Sequence, residues 1–470
     1  DKNEKQPVLE VVDGKIVPSG SAGLAKIYIC ANDSAKSDDL QNPNNYSTKQ
    51  VVYFKVADGN SERTSLEIED AESLASINNN KESLSKFYLI TTDINLSTYA
   101  NWTPIGIIDG EVNEFTGTLN GLQVVNGDYT LSVITGLRFN EENENISNYK
   151  GIFAKIGNGA TIKNINLTVQ DVNLTFNANS TDAETHFGAL AGTNNGNIKN
   201  VSVTYLNYQS ENITQEATIT QRSYKTYIGG IVGRNETKGT IENCFVDGKL
   251  SVVVSGRKLD GAFDYVGGVV GYNDGIIDGQ GKFVNEKDLA TYYNCTLELS
   301  TLTLLSDGTL SNKVEYGVAT GGLVGLNAFE LKNISFAGKV EGSTNVGGAV
   351  GINAGKIEGV YVTGIVNGYN AVGGLVGKIQ DGGTINFSAV NMYDETSISY
   401  SGEITPNITA NGAVGGLIGI AEYTTLGTLP NVTNSFVKSY YVRNTSNYIA
   451  DIFADLYRNT TIYAGGLVGK

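Results

Sequence analysis

Very few side chains in this 470-residue chain could carry out catalysis. His186, in the stretch Glu-Thr-His-Phe, is the only histidine. A zinc site of the His-x-x-x-His kind and a Ser-His-Asp triad both need further partners around a histidine, and the sequence offers no support for either. We therefore expect His186 to be a packed or solvated loop residue.

Three nearby carboxylates are the best candidates for acid–base chemistry: Asp264, Asp274 and Asp278. Polysaccharide lyases and hydrolases that are built on β-helices use carboxylates clustered on one face, and Asp-rich turns can also bind calcium. Asp and Gly are, however, ordinary turn residues. We expect no enzymatic activity, no cofactor and no metal site, with calcium as the open alternative.

Two cysteines each follow an asparagine, Cys244 in Asn-Cys-Phe-Val and Cys295 in Asn-Cys-Thr-Leu. Other copies of this stretch have Ile or Val in the same place, which predicts that both thiols fill an inward, aliphatic slot. The same slot in successive coils would bring the two Cα atoms to about 4.8 Å. Two stacked free thiols and a disulfide are both open.

The chain carries a net charge of −16 and contains no basic tract. Nucleic acid needs a cationic footprint and anionic membranes attract basic segments, so neither is an expected partner. No apolar run approaches the roughly 20 residues that span a bilayer, so this segment should not insert directly into a membrane. The chain stops inside a repeated phrase, and we expect it to be a fragment of a longer protein.

That repeated phrase has two glycines, two small apolar residues, a third glycine and often Asn. It reads Gly-Gly-Ile-Val-Gly-Arg-Asn at 229–235 and Gly-Gly-Leu-Val-Gly-Leu-Asn at 321–327. Gly325, Gly351 and Gly377 follow one another at 26 residues (351 − 325 and 377 − 351). A period of tens of residues indicates a solenoid or array, and 26 residues are too few for a propeller blade.

The segments between these phrases read as short strands separated by Gly and Asn turns. Such strands must stack on their counterparts in the next coil. We predict an all-β fold, a right-handed parallel β-helix (β-solenoid) with loop insertions. In 161–169 the alternation of Ile165, Leu167 and Val169 is out of phase with Ile162, which predicts a turn or bulge near Lys163-Asn164.

Glycine fits positions where coils turn tightly or pack backbone to backbone, because it accepts positive φ without strain. The glycines to which we assign this structural role are Gly192, Gly230, Gly233, Gly268, Gly271, Gly322, Gly325, Gly348, Gly351, Gly374, Gly377, Gly416, Gly419, Gly466 and Gly469.

The region before the first phrase predicts two further parts. Residues 66–78 have helical spacing at Ile68, Ala71, Leu74 and Ala75, which predicts a short helix that caps the open end of the solenoid. Residues 1–58 read as a separate domain with several strands, and 59–65 as a linker. The solenoid would then occupy 66–470.

At this point the chain resembles a known family. The Gly-Gly-Leu-Val-Gly phrase is similar to the GLUG motif of bacterial surface and secreted proteins. A lead-in typical of them is also present, with Trp-Thr-Pro-Ile-Gly at 102–106 and Phe-Thr-Gly-Thr-Leu-Asn-Gly at 115–121. Residues 9–29 resemble the last half of a bacterial immunoglobulin-like domain of group 2, which implies a partial β-sandwich at the N-terminus.

The resemblance implies a large, exported, modular protein and supplies no catalytic residues. We expect a non-enzymatic, extracellular cell-surface protein: a rigid stalk or adhesin segment that binds a host or neighbouring-cell glycan or protein. A structural subunit that self-associates into an extracellular filament, and a non-catalytic region of an exported protease or glycan-active enzyme, are the alternatives. Tyrosines near 205–208 and at 440–441 are candidate exposed contacts for sugars or proteins.

Overall fold

The structure is a computed structural model of the whole chain. It describes residues 8–13, 15–31, 42–141, 148–176, 184–206, 208–210, 213–215, 217–221, 225–255, 263–280, 294–304, 310–311, 318–391, 408–410, 413–422, 427–438, 442–444, 464–465 and 467–468.

Three long parallel sheets run side by side along one axis, and the chain visits each of them once per coil. In a representative coil, Lys225–Gly229 lies in the first sheet and ends on the first glycine of the phrase. After a two-residue turn, Val232–Asn235 lies in the second sheet. Thr240–Glu242 and Phe245–Ser255 then lie in the third. The fold is therefore a parallel β-helix, as predicted; the hand of its coil remains a prediction.

Sheets 1 and 2 each contain nine strands. The strands of sheet 1 are Tyr149–Lys150, Glu184–Gly188, Lys225–Gly229, Phe263–Gly267, Val318–Gly321, Val346–Gly347, Val372–Gly373, Val414–Gly415 and Ala464–Gly465. The strands of sheet 2 are Glu114–Phe115, Phe153–Ile156, Ala191–Asn194, Val232–Asn235, Val270–Asn273, Val324–Asn327, Val350–Asn353, Val376–Ile379 and Ile418–Ala421.

Sheet 3 contains 24 strands because most coils contribute two segments to it. They are Leu66–Ile68, Phe87–Ile90, Ile94–Asn95, Thr118–Asn120, Leu122–Val125, Asp128–Glu141, Thr161–Phe176, Asn197–Tyr205, Ala217–Gln221, Thr240–Glu242, Phe245–Ser255, Ile276–Asp278, Cys295–Leu304, Leu310–Ser311, Glu330–Lys332, Ser335–Glu341, Lys356–Glu358, Tyr361–Asn367, Thr384–Asn386, Ala389–Asn391, Ile408–Ala410, Asn431–Thr433, Phe436–Lys438 and Val442–Asn444.

Stacked aliphatic side chains fill the interior of the solenoid. Burying each of them contributes about 1.5–3 kcal/mol. With rungs about 4.8 Å apart, the stack makes a rod roughly 50 Å long. One inward column in sheet 3 runs without interruption through Leu66, Tyr88, Leu119, Ile162, Ile198, Ile241, Ile277, Leu331, Ile357 and Ile385. It ends at Val432, which pairs with Ile385 and is exposed.

Short helices lie at the N-terminal end of this rod. The α-helix covers Ala71–Ala75, and Asp70 caps it by accepting a hydrogen bond from the Ser73 backbone. The helix predicted over 66–78 is thus shorter than expected, since Leu66–Ile68 is a strand that pairs with sheet 3. Short 3₁₀ helices cover Pro43–Asn45, Glu62–Thr64, Ser76–Asn79 and Ser83–Ser85. Leu74, Ile77 and Leu84 are buried in the solenoid core.

Four antiparallel hairpins complete the described strands. Two of them precede the solenoid, and their assignment to a partial immunoglobulin-like domain at 1–58 remains a prediction, as do the linker and domain boundaries. Among the described residues, no helix is long and apolar enough to cross a bilayer. The hairpin pairs are Leu9–Val12 with Lys15–Pro18, Gly23–Cys30 with Lys49–Val56, Ile107–Ile108 with Glu111–Val112, and Tyr208–Ser210 with Ile213–Gln215.

Candidate functional site

The corner between sheets 1 and 2 is so tight that a side chain on most of its phrase glycines would meet backbone atoms of neighbouring strands, although Ala154 and Ala189 take the places of Gly192 and Gly230 in the earlier coils. A Cβ on Gly233 would lie 2.7 Å from the carbonyl oxygens of Gly192 and Tyr227. A Cβ on Gly230 would come within 3.0 Å of the Gly268 carbonyl oxygen of the next coil. The phrase therefore lets the two sheets and successive coils approach backbone to backbone.

Positive φ, the other reason offered for these glycines, does not apply. The glycines with positive φ lie elsewhere, for example Gly127 and Gly382, and none of the described phrase glycines is among them. Crowding, not backbone strain, explains the phrase. Gly466 and Gly469 lie outside the described residues.

The asparagine that ends the phrase belongs to a buried amide ladder. The Asn235 side chain donates from Nδ2 to Oδ1 of Asn273 at 2.8 Å, and Asn273 donates to Asn327 at 2.8 Å. Asn194 and Asn353 continue the ladder at either end. Since an unpaired buried amide costs about 1–3 kcal/mol, this pairing stabilises the stacking of coils in register.

A second asparagine row marks the bulge in sheet 3. Asn164 has a φ of 64°, which confirms the turn predicted near Lys163-Asn164. Asn200 and Asn243 have φ values of 54° and 49° at the same place in later coils. Asparagine tolerates this left-handed region better than most residues. Nδ2 of Asn200 donates to Asn164, and Nδ2 of Asn243 donates to Asn200.

Cys244 and Cys295 are both buried, but the prediction that they share one slot is wrong. Cys295 pairs with Val246, two residues beyond Cys244, so the two thiols do not stack. The prediction treated Asn294 as the equivalent of Asn243. Asn294 lacks the positive φ of Asn243, so the two asparagines do not occupy equivalent positions. Both thiols are free. Burial raises the pKa of each to about 12, which makes them poor nucleophiles.

The three candidate carboxylates do not form one site. Asp264 is buried on sheet 1, Asp274 follows the sheet-2 strand Val270–Asn273, and Asp278 lies on sheet 3, 3.8 Å from Lys332. Within the described ranges, no three His, Cys, Asp or Glu residues come together where they could hold a metal ion.

The most distinctive surface lies outside the corner between sheets 1 and 2. A column of rings stacks there along the axis, one from each of four coils, and further rings from the last of these coils pack beside it. We call this surface, with the charged groups around it, the aromatic patch. Its members are Tyr149, Lys155, Glu184, His186, Lys225, Tyr227, Arg234, Phe263, Tyr265, Tyr272 and Asp274.

The rings of the aromatic patch are close and nearly parallel. The centroids of Tyr149 and His186 are 4.6 Å apart, those of His186 and Tyr227 4.7 Å, and those of Tyr227 and Tyr265 5.5 Å. Tyr272, from sheet 2, meets Tyr265 edge to face at 5.3 Å. Register explains the stack, since the four sheet-1 residues pair directly in successive strands.

Cations and carboxylates border these rings. The Arg234 guanidinium lies over Tyr227 at 5.6 Å and over Tyr272 at 5.2 Å. Its nearest carboxylate is Asp274, at 3.8 Å. Glu184 accepts a hydrogen bond from the Tyr227 hydroxyl at 3.2 Å. The neighbouring His186 imidazole, this hydroxyl and the Lys225 ammonium lower the pKa of Glu184, so it is ionised at neutral pH.

His186 lies in the strand Glu184–Gly188, so its prediction as a loop residue is wrong. It is 2% exposed, and neither ring nitrogen has a hydrogen-bond partner among the described residues. The Glu184 carboxylate lies 3.7 Å from Nε2, too far for a hydrogen bond. Burial lowers the pKa of His186, so the ring is neutral at physiological pH.

Sequence reasoning missed the aromatic patch and placed tyrosine contacts elsewhere. Tyr205, predicted to be exposed, is buried and donates to the Gly230 carbonyl at 2.8 Å. The side chain of Tyr208 and residues 440–441 lie outside the described set. An alignment of the residues two places before each phrase would have shown His186, Tyr227 and Tyr265 in one column.

One comparison with known proteins gives a match. Residues 225–253 match the family model of the GLUG motif. They include Lys225–Gly229, Val232–Asn235 and Thr240–Glu242, which is one strand from each sheet. No curated protein and no solved structure matches the chain. The coil at the centre of the aromatic patch thus matches the GLUG motif.

Proposed function

We propose that this chain is a non-enzymatic, extracellular cell-surface protein whose β-helix is a rigid stalk or adhesin segment for attachment. On this proposal the other coils are GLUG repeats as well, because they share the register and the crowded glycines of residues 225–253. The match itself covers that coil alone.

The observation that carries the proposal is the continuity of the parallel ladder. Sheet 2 pairs strand by strand from Glu114–Phe115 to Ile418–Ala421. Inside it, the Asn ladder adds side-chain hydrogen bonds between consecutive coils. A rod that is hydrogen-bonded along its axis resists bending and holds whatever its flank carries at a fixed distance from an anchor.

The arrangement of the repeats supports the same proposal. The two shortest coils, from Asn327 to Asn353 and from Asn353 to Ile379, already pair in all three sheets. Longer coils place their extra residues outside that minimum, mainly between the end of a sheet-3 strand and the next sheet-1 strand. A stalk with insertions on one flank can vary its surface without altering its core.

Surface labelling of the native cells tests this proposal. Antibodies raised against the folded chain should bind intact, unpermeabilised cells, and a deletion strain should attach less well to host cells or to neighbouring cells. A cytoplasmic protein that stays unlabelled is the control. Label that appears only after permeabilisation would contradict the proposal.

Electron microscopy of the native material beside the recombinant chain distinguishes the proposed stalk from the alternative of a filament subunit. Isolated rods, each about 50 Å long over this segment, are the expected result. Regular fibres with a repeating subunit would instead make assembly the function.

A further inference from the structure

We propose that the aromatic patch is a binding site for a neutral glycan chain. This rests on the proposed attachment function and assigns its contact surface to sheets 1 and 2 of four consecutive coils. The coils of the patch are those whose sheet-1 strands are Tyr149–Lys150, Glu184–Gly188, Lys225–Gly229 and Phe263–Gly267.

The fold does not require these rings. The column that holds His186, Tyr227 and Tyr265 continues through small residues in later coils, where Ala319 pairs with Tyr265. Similarly, the sheet-2 column of Arg234 and Tyr272 continues as Leu326. The phrase glycines and the sheet-2 register therefore form with and without the aromatic patch, while the sheet-1 strands shorten from five residues in Lys225–Gly229 to two in Val346–Gly347.

The aromatic patch also contains polar groups that its own packing does not satisfy. Both nitrogens of His186 and Nε of Arg234 are buried without a hydrogen-bond partner among the described residues. The buried Asn ladder a few ångströms inside shows that this fold can pair its amides fully. Unsatisfied polar groups are costly and concentrate at functional sites.

The chemistry of the aromatic patch suits a sugar chain. Tyr149, Phe263, Tyr265 and Tyr272 are half-buried rings that offer apolar contact area at low entropic cost, whereas His186 and Tyr227 are buried within the stack. The tyrosine hydroxyls and the nearby charged groups supply hydrogen-bond donors and acceptors. Lys225 lies 3.7 Å from Glu184, Arg234 lies 3.8 Å from Asp274, and Lys155 interacts with Glu236, so three cations face three carboxylates. This balance favours an uncharged ligand. Four rungs about 4.8 Å apart give an extended contact of roughly 14 Å.

An extended peptide suits the aromatic patch less well. Peptides commonly bind by adding a strand to a free sheet edge. Here Lys225–Gly229, Phe263–Gly267 and Val232–Asn235 are each paired on both sides. Their backbone groups are already used along the axis, which leaves side-chain recognition of hydroxyl groups.

The test is a printed array of neutral and anionic oligosaccharides, probed with the full chain and three variants. Arg234→Gln removes a guanidinium from the aromatic patch, and Tyr272→Leu installs the residue type of the later coil. Lys378→Gln is the matched control, since Lys378 occupies the same sheet-2 column outside the patch. Circular dichroism checks that each variant is folded. If Arg234→Gln does not fold, Tyr272→Leu alone is compared with the parent chain.

We expect the parent chain and Lys378→Gln to bind the same neutral oligosaccharides, and both patch variants to bind at least tenfold more weakly. Binding of anionic oligosaccharides alone, binding of none, or equal binding by the patch variants would each overturn the proposal. If cells still attach in those cases, the attachment function stands and only this site is wrong. If the array results are as expected but intact cells are not labelled, the glycan site stands and the proposed attachment function is wrong.

Discussion

The four coils of the aromatic patch and the coils that follow them have the same kinds of side chain in the interior and different side chains on the outside. Inward residues match across the two regions, as Val232 and Val350 do in sheet 2. On the outside, Tyr227 and Tyr265 give way to Ala319 and its successors. Positions that stay constant are those the fold needs, and positions that change are free to serve binding.

The largest effect should come from the shared glycines, whichever region they occupy. Gly233→Ala and Gly325→Ala each place a Cβ against backbone atoms of neighbouring strands, which cannot move aside easily. We expect each to lower the free energy of unfolding by about 3 kcal/mol, measured by urea denaturation.

Gly127→Ala is the matched control, since its Cβ meets nothing within 4 Å and only its φ of +90° is strained. It should cost about 1–2 kcal/mol. If Gly325→Ala cost no more than this control, the crowded-corner explanation of the phrase would be wrong.

The buried Asn ladder should give the next largest effect. Asn273→Leu removes the acceptor for one Nδ2 hydrogen of Asn235 and for the Gly275 backbone N–H, and leaves both hydrogens buried without that partner, while the other Nδ2 hydrogen of Asn235 keeps the Gly239 carbonyl. We expect a loss of about 2 kcal/mol in unfolding free energy. Asn197→Leu, on a sheet-3 strand outside the ladder and exposed, should cost well under 1 kcal/mol.

His186 should give the aromatic coils a pH dependence that the later coils lack. Its pKa is lowered in the folded chain, so below about pH 6.5 the unfolded chain binds the proton more readily. Stability should therefore fall by about 1 kcal/mol as the pH drops from 6.5 to 5.5. The loss of stability ends once the pH lies below the pKa of His186 in the folded chain.

His186→Phe keeps a ring in the stack without a titrating group, and urea denaturation at several pH values should show a flatter profile for it. Glu184, whose pKa is held below its ordinary value, titrates below this window. An unchanged slope in His186→Phe would show that the histidine is not responsible.

The smallest effect should come from the ion pairs on sheet 3. Lys356 contacts Glu330 at 3.2 Å and also Glu358, but its side chain is 49% exposed. Lys356→Gln should cost about 0.5 kcal/mol, and less in high salt. A loss above 2 kcal/mol in urea denaturation would mean that charge ladders, not packing, hold these coils in register.

The repeated phrase was enough to predict the β-helix, and the broken alternation in 161–169 was enough to predict the bulge at Asn164, because both follow from local periodicity and turn chemistry. Pairing register was harder. The dipeptide Asn294-Cys295 resembles Asn243-Cys244 in sequence. In the structure, however, Cys295 pairs with Val246, two residues beyond Cys244. Short-range similarity cannot fix register where an insertion of variable length separates two strands.

The aromatic patch was not predictable from local patterns. Tyr149, His186, Tyr227 and Tyr265 are 37 to 41 residues apart in the chain (186 − 149, 227 − 186 and 265 − 227) and meet only through parallel pairing. The atoms that crowd Gly230 and Gly233 could not be identified from the sequence either. These glycines do not have a positive φ, and most of the atoms that a Cβ would meet belong to neighbouring coils.

The most direct test of the distinction between scaffold and surface is the unfolding free energy of two substitutions measured side by side. Tyr272→Leu copies the later coil onto the aromatic patch, and Val270→Ala, two residues away, empties an inward position that is 0% exposed. We predict a loss below about 1.5 kcal/mol for the first and above about 2 kcal/mol for the second. Equal losses, or a larger loss for Tyr272→Leu, would contradict the claim that the fold does not need the aromatic patch.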